Sequence, residues 1–519
     1  MANDEVQSNK NKRLFINIFA QIIVLIVNFC ISFFLTPIIV NKIGKEAYGY
    51  VGLSTDFINY ATIVTAALNT MASRFIAVSY HQNKHDEVNK YFSSVFFANI
   101  IISIFLSIIS SIVVIFLEKI IEIPNNMIID VKLLFIFMFA NFLISIIGSV
   151  FSSSTFTTNN LHLQSKRKIE SNIIKSIILI ISYCFFKPYI LYIGIATIIS
   201  TIYSVIMDIY YTKKLLTNVR IKTKFFDIKK IKQLLISGVW SSINKLSGVL
   251  SNGLDLLISN KLVGTIAMGS FSIAKTLPNM FLTAFSLIAS VFSPDLTEYY
   301  AKNNMDGMKK EVLKSITLLG LFSSILVAFL FAYSKEFFEL WVPGQRSDLL
   351  YNLTILSSFA MIFGLSLEGI WNVFIATNKV KISSLFLVIT SILTLIIEYI
   401  LLTTFKFNSD IKLYIIAGVS TVFSLFRNLI FLPIYGAKCI KQKNTTFYPI
   451  IIRISIVTLL VYVFSLLIKQ IIIINSWLIL ILNVIMTIAI ALILDYIIIL
   501  DKDMKKNLKI KFIKMLKRS

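Results

Sequence analysis

Histidine and cysteine are scarce in this chain, with three of each in 519 residues. Cys30, Cys184 and Cys439 fall inside apolar stretches and at no metal-binding spacing, so neither a disulfide framework nor a zinc site is supported. His81 and His85 stand four residues apart but in a polar loop without a third ligand. No cofactor and no metal are expected. Acid is scarce too: 26 Asp and Glu stand against 50 Lys and Arg, a net charge of +24. No polar stretch exceeds a few dozen residues, which leaves no room for a soluble catalytic domain. That weighs against an ATPase or a glycosyltransferase with a cytosolic site.

Apolar sequence fills the chain instead. Hydrophobic residues make up 57% of it, and the mean hydropathy is +0.82. They arrive in runs of about 20 or more, the length that crosses a bilayer as a helix. The expected fold class is all-α, a polytopic membrane protein. Fourteen spans are expected: 14–35, 47–72, 91–117, 132–158, 170–186, 189–211, 234–262, 267–293, 313–333, 350–376, 381–405, 411–436, 446–468 and 475–499. Lys187-Pro188 divides the fifth from the sixth, because proline ends the helix before it. The first run is too long for a signal peptide and ends at a turn expected at Thr36-Pro37.

Orientation follows from the basic residues. With the N-terminus inside, 34 of the 50 Lys and Arg fall on the cytoplasmic side, 11 outside and 5 within spans. Both termini are therefore expected in the cytoplasm of a cell whose plasma membrane the chain crosses. This placement also explains the net charge without nucleic acid. The central loop 212–233 (TKKLLTNVRIKTKFFDIKKIKQ) and the tail 501–519 interleave Lys with Ile, Leu and Phe. Each reads as a helix lying on anionic lipid.

The chain also repeats itself. Residues 41–50, NKIGKEAYGY, align with 260–270, NKLVGTIAMGS, if one residue is inserted, so Gly44, Ala47 and Gly49 match Gly264, Ala267 and Gly269. Beyond the next span Ser73, Tyr80, Asn83, Asp86 and Lys90 match Ser293, Tyr300, Asn303, Asp306 and Lys310 at the same offset. Six crossings separate the copies, so both enter the membrane in one direction. Parallel repeats of this kind are a transporter architecture with the substrate path between halves. The expected organisation is an N-terminal lobe 1–211, a linker 212–233, a C-terminal lobe 234–436, two additional helices in 437–499 and a basic tail 500–519.

One span is unusually polar. In the seventh, Ser241, Lys245, Gly248, Asn252, Asp255 and Ser259 recur at steps of four and three along one helix face. Close packing accounts for Gly and Ser but not for ions, which cost roughly 2.5–3.5 kcal/mol at bilayer depth. Lys245 and Asp255 lie roughly 15 Å apart along a helix, too far to pair. Asp255 is depth-matched with Lys275 of the eighth span, and Glu368 with Arg427; an Asp255–Lys275 ion pair or shared wall is expected. Lys245, Lys275 and Arg427, with Asn252 and Arg74, are the candidate substrate-binding residues, suited to an anion such as phosphate. Asp255, Glu368 and Asp56 are the candidate coupling acids, able to titrate against a proton or sodium gradient. Asn17, Gln21 and Asn28 give the first span a milder polar stripe. Lys175, Asp208 and Asp495 are near enough to the inner surface to snorkel.

The stretches FINIFAQIIVLIVNFCISFFLTPIIVNKIGKEAYGYVGL, MASRF, INKLSGVLSNGLDLLISNKLVG and FSPDLTEYYAKNN together resemble bacterial Wzx-type polysaccharide flippases. These belong to the multidrug/oligosaccharidyl-lipid/polysaccharide exporter superfamily. The resemblance runs over nearly the whole chain. It implies fourteen helices in two six-helix lobes plus two, alternating access, and transport of undecaprenyl-diphosphate-linked oligosaccharide. It also implies a cationic cavity. The position aligned with Asp255 in the first lobe is Thr36, so acid-dependent coupling would be asymmetric. Rival readings are a peptidoglycan-precursor flippase and a drug/cation antiporter of the same superfamily. Another class, a membrane polysaccharide polymerase or ligase, would need a large outer loop, and none reaches about twenty residues.

Overall fold

The computed structural model describes residues 2–158, 160–252, 254–501 and 505, and side chains from Phe19 onward except those of residues 21, 22, 25, 251, 252 and 301. All fourteen expected segments are helical, and no strand occurs among the described residues. Among the described residues eleven helices are long and apolar enough to cross a membrane, or twelve if the pair Ser347–Ser358 and Met361–Ala376, bent by 45°, forms one span. The two remaining segments, the fifth and the seventh, are helical but carry more polar side chains.

The chain packs as two units: Met1–Ser272 with Ser384–Ile392, and Ile273–Ser383 with Leu393–Ser519. The first unit holds α1 (Ala2–Ile43), α2 (Lys45–His81), α3 (His85–Ile115), α4 (Ile128–Gly148), α5 (Leu161–Phe185), α6 (Leu191–Leu215), α7 (Ile228–Asn252) and α8 (Asp255–Leu262). Helix α9 (Thr265–Ser290) begins there and ends in the second unit. That unit also holds α10 (Met305–Trp341), α11 (Ser347–Ser358), α12 (Glu368–Ala376), most of α13 (Val380–Thr404), α14 (Ser409–Phe426), α15 (Tyr448–Ile471) and α16 (Trp477–Leu494).

Lipid-facing and buried surfaces divide as bilayer helices require. On α3, Ile101, Ile104, Phe105, Ile108, Ile112 and Ile115 point outward, while Tyr91, Phe92, Val95 and Ala98 are buried with Leu68, Ala72 and Ile76 of α2. The repeat is visible in the backbone. Gly44 and Gly264, each just before a helix, have φ of 88° and 126°, a region that glycine alone enters freely. Asn83 and Asn303 are both left-handed, with φ of 58° and 52°. The same bonds close both turns: Lys84 N–H donates to Ser79 O at 3.0 Å, and Asn304 N–H to Tyr299 O at 2.9 Å. Within the first unit the matched glycines touch, since a Cβ on Gly49 would lie 3.0 Å from the Gly269 backbone.

Two expectations are corrected. Helix α1 runs on through Pro37 to Ile43, and the chain turns at Gly44 rather than at Thr36-Pro37. The basic linker is no surface helix. Between Leu215 and Ile228 it holds only a 3-10 turn at Thr223–Phe225. Polar side chains of α3 bind its backbone: Asn89 Oδ1 accepts Arg220 N–H at 2.8 Å, and Ser94 Oγ accepts Asp227 N–H at 2.9 Å. Ser93 Oγ donates to Arg220 O at 3.3 Å, and Lys230 pairs with Glu87 at 2.5 Å. Local side-chain bonds thus outcompete the helix ladder. Of the tail, only Asp501 and Lys505 fall within the described residues.

Helix interruptions in the second unit are each satisfied by a side chain. Pro278 interrupts α9 and cannot donate to the carbonyl of residue 274. Thr354 Oγ1 of α11 donates to Ala274 O instead, at 3.1 Å. Pro433 likewise frees Leu429 O, which takes the Tyr448 hydroxyl of α15 at 2.7 Å. An unpaired carbonyl in hydrocarbon has no water to turn to. We expect Thr354→Val and Tyr448→Phe each to cost about 1–3 kcal/mol, read as a lower melting temperature of the reconstituted protein. Thr354→Ser, which keeps the hydroxyl, should melt as the parent does.

Candidate functional site

Helix α7 is fastened to α2 by its polar residues. Ser242 Oγ donates to Ile63 O at 2.8 Å and accepts Ala67 N–H at 3.1 Å. Gly238 permits this approach, since a Cβ there would lie 2.1 Å from Ala67 O. A second face meets the start of α13, where Ser247 Oγ donates to Ser384 O at 3.0 Å and the Ser384 hydroxyl donates to Asn244 Oδ1. A third side stays open: Lys245 is half-buried, and a Cβ on exposed Gly248 would meet nothing within 4 Å.

The polar stripe predicted for the seventh span does not run down one helix. Helix α7 stops at Asn252 and α8 starts at Asp255. Above the break the stripe is closed rather than open, with Asp255 6% exposed and Ser259 fully buried. Asn260, also buried, holds the backbone of Glu122, donating to its oxygen at 3.0 Å and accepting its N–H at 2.7 Å. Asp255, in the first turn of α8, is placed where the helix dipole favours an anion. Tyr60 of α2 lies within electrostatic reach of both Asp56 and Asp255, so two candidate coupling acids converge on one phenol in the first unit. Lys245 and exposed Arg74 have no hydrogen-bond or carboxylate partner among the described residues. The side chain of Asn252 lies outside the described residues. Lys275 belongs to the second unit and is half-buried, three residues before Pro278.

The second unit brings Glu368 and Arg427 into mutual electrostatic reach, without the close N–O contact of a direct ion pair. Ser286 Oγ of α9 donates to Glu368 Oε2 at 3.0 Å. Arg427 Nε–H donates to Asn428 Oδ1 at 3.2 Å, and Asn428 Nδ2 donates to Ala360 O at 2.9 Å, at the bend between α11 and Met361–Gly364. Gly364 must be glycine here, because a Cβ would sit 2.3 Å from Asn428 Nδ2. Each ion stands at a helix discontinuity. Glu368 opens α12 after the 3-10 turn Leu365–Leu367, and Arg427 opens a π-helical turn, Arg427–Phe431. Such interruptions inside membrane helices line protein or water rather than lipid.

Two acids expected to snorkel are held inside, and two further ions find partners. Asp208 does not snorkel: it is buried against Arg167 of α5 in an ion pair. Asp495 is 2% exposed and accepts the Ser324 hydroxyl, at 3.2 Å to Oδ1. Glu398, fully buried, takes the Ser420 hydroxyl at 3.1 Å, and Arg453 pairs with Asp501 at 2.8 Å. Spacing alone could not reveal these partners, because each pair joins segments distant or separate along the chain. His81 contacts Thr157 O at 3.0 Å, and no group of three His, Cys, Asp or Glu fit for a metal occurs among the described residues.

Comparison with known proteins adds the family. The sequence profile described as polysaccharide biosynthesis protein matches residues 14–300. The chain is 25% identical over 432 residues to the uncharacterized membrane protein EpsK of Bacillus subtilis (strain 168), covering 83% of this chain and 85% of that one. Among solved structures, it superposes on the inward-facing conformation of a multidrug resistance MATE family transporter of the MOP superfamily with a TM-score of 0.64. The identity is 15%, over 80% of this chain and 98% of that one. A mutant of the Vibrio cholerae MATE transporter VcmN gives 0.58 at 14% identity, over 85% and 99%. With the profile covering more than half of its length, the chain belongs to the polysaccharide biosynthesis protein family, built on the fold of MOP-superfamily transporters.

Proposed function

We propose that this protein is a flippase that carries undecaprenyl-diphosphate-linked oligosaccharide from the inner to the outer leaflet for surface polysaccharide. Transport proceeds by alternating access of an N-terminal lobe, 1–211, and a C-terminal lobe, 234–436, with both termini in the cytoplasm. The observation that carries the reading is the set of cations with no direct carboxylate contact among the described residues, Lys245 on the polar helix α7, Arg74 on α2 and Arg427 after α14, in a chain of the polysaccharide biosynthesis family. A cation on these helices without a direct ion pair favours an anionic cargo, and a diphosphate supplies both charge and acceptor oxygens. Asp56 and Asp255 in the first unit and Glu368 in the second would bind a proton or sodium ion in exchange.

A drug/cation antiporter is the second reading. It is favoured by the MATE-like fold and by the convergence of Asp56 and Asp255 on Tyr60, which suits a cationic guest. The cargo's charge separates the two: the flippase accumulates a lipid diphosphate when absent, and the antiporter changes drug resistance. A peptidoglycan-precursor flippase would instead arrest wall synthesis.

Depleting the protein in its host should lower surface polysaccharide and raise lipid-linked repeat units accessible from the cytoplasm. Normal polysaccharide without accumulation would remove the proposal. Arg427→Gln should lower export about ten- to a hundredfold, as loss of a hydrogen bond to a charged group does, while Arg427→Lys keeps a larger share. Asp255→Lys and Lys275→Asp should each abolish export.

A further inference from the structure

Helix α5 carries two lysines that the candidate site above does not use. Lys168, Asn172 and Lys175 are spaced four and three apart, so they share one face, with the lysines roughly 10 Å apart along the axis. The opposite face holds Ile173, Ile177, Ile180 and Ile181, each between 44% and 50% exposed, which is the side turned to lipid. The lysines therefore point away from lipid. Lys168 is exposed, Asn172 and Lys175 are half-buried, and the same face continues outward into Leu179 and Tyr183, both buried. It is a polar surface open at its inner end and sealed above.

That face lies beside α1, which packs along α5. Asn172 Nδ2 donates to Asn28 Oδ1 there, so amide groups of both helices stand between the two ammonium groups. Nearby carboxylates are already taken. Asp208 pairs with Arg167, and Glu170 accepts the Tyr203 hydroxyl at 2.8 Å and faces Lys166 at 3.8 Å. Neither Lys168 nor Lys175 has a hydrogen-bond or carboxylate partner among the described residues. An ammonium held between packed helices that neither faces lipid nor meets an acid needs water or an exogenous anion.

We propose that Lys168 and Lys175, with the amides of Asn172 and Asn28 between them, form a diphosphate cradle in the first unit that receives the headgroup of the lipid-linked substrate. This rests on the flippase reading and names the part of the chain that grips the cargo's charge on its inner side. Each lysine offers three donors to phosphate oxygens, and the asparagine amides suit the bridging region or the first sugar.

The full-length protein in nanodiscs tests this, with undecaprenyl diphosphate as probe, undecaprenol as the same lipid without phosphates, and inorganic pyrophosphate as competitor. Lys168→Gln and Lys175→Gln should each weaken undecaprenyl diphosphate binding by roughly ten- to a hundredfold. Undecaprenol binding should stay unchanged, and the arginine variants should recover most of the loss. Pyrophosphate that displaces the lipid marks recognition of the headgroup itself. Should a glutamine variant fold poorly, amine labelling of the parent replaces it, and the lipid diphosphate should protect both lysines. Unchanged binding in both glutamine variants, or unprotected lysines, overturns the cradle but leaves the flippase reading. A parent protein that binds no undecaprenyl diphosphate overturns both.

Discussion

Every peptide group in the hydrocarbon must find a partner within the protein, and the rest of this structure depends on that demand. An unbroken helix meets it alone. Where the helix is interrupted, another side chain must step in. Thr354 answers for Ala274 below Pro278, Tyr448 answers for Leu429 below Pro433, and Asn99, fully buried, donates to Ile146 O at 3.1 Å where α4 gives way to a 3-10 turn. These breaks are tolerated only away from lipid, and the ions are found at such places. Asp255, Glu368 and Arg427 each begin a new helical segment or turn. Backbone economy and charge placement are thus one problem with one solution.

Much of this could be read before any coordinates. Apolar run length located the fourteen expected helical segments, and the repeat that matches Gly44 and Asn83 with Gly264 and Asn303 coincides with positive φ at all four. The family was carried by diffuse but chain-long resemblance, and the profile match over 14–300 agrees. What escaped was the breaking of long runs. A segment such as 234–262 is long enough for one helix, and run length does not register that α7 ends at Asn252 and α8 starts at Asp255. Pro37 misled in the other direction, since a proline inside a membrane helix need not end it. The linker misled because interleaved Lys and Ile suit a lipid surface as well as a strap tied to Asn89, Ser93 and Ser94.

Site residues were legible as a list but not as an arrangement. Charge in an apolar run flags itself, and so Lys245, Asp255, Glu368 and Arg427 stand out as candidates from the sequence. Which acid meets which phenol depends on helix rotation, and Tyr60 gave no sequence signal that it would stand near both Asp56 and Asp255. Lys168 was hidden in a cluster counted as topology signal, and Lys175 was read as a snorkelling chain. Only the position of the lipid-exposed isoleucines shows that both face the other way.

The contact between Gly49 and Gly269 has a consequence of its own. There a position of the first copy meets its own counterpart in the second, much as identical patches face each other in a two-fold dimer. Bulk added at Gly49 would press on the Gly269 backbone, and bulk added at Gly269 on the Lys45 backbone one turn before Gly49, so this seam of the first unit has room for glycine on both sides.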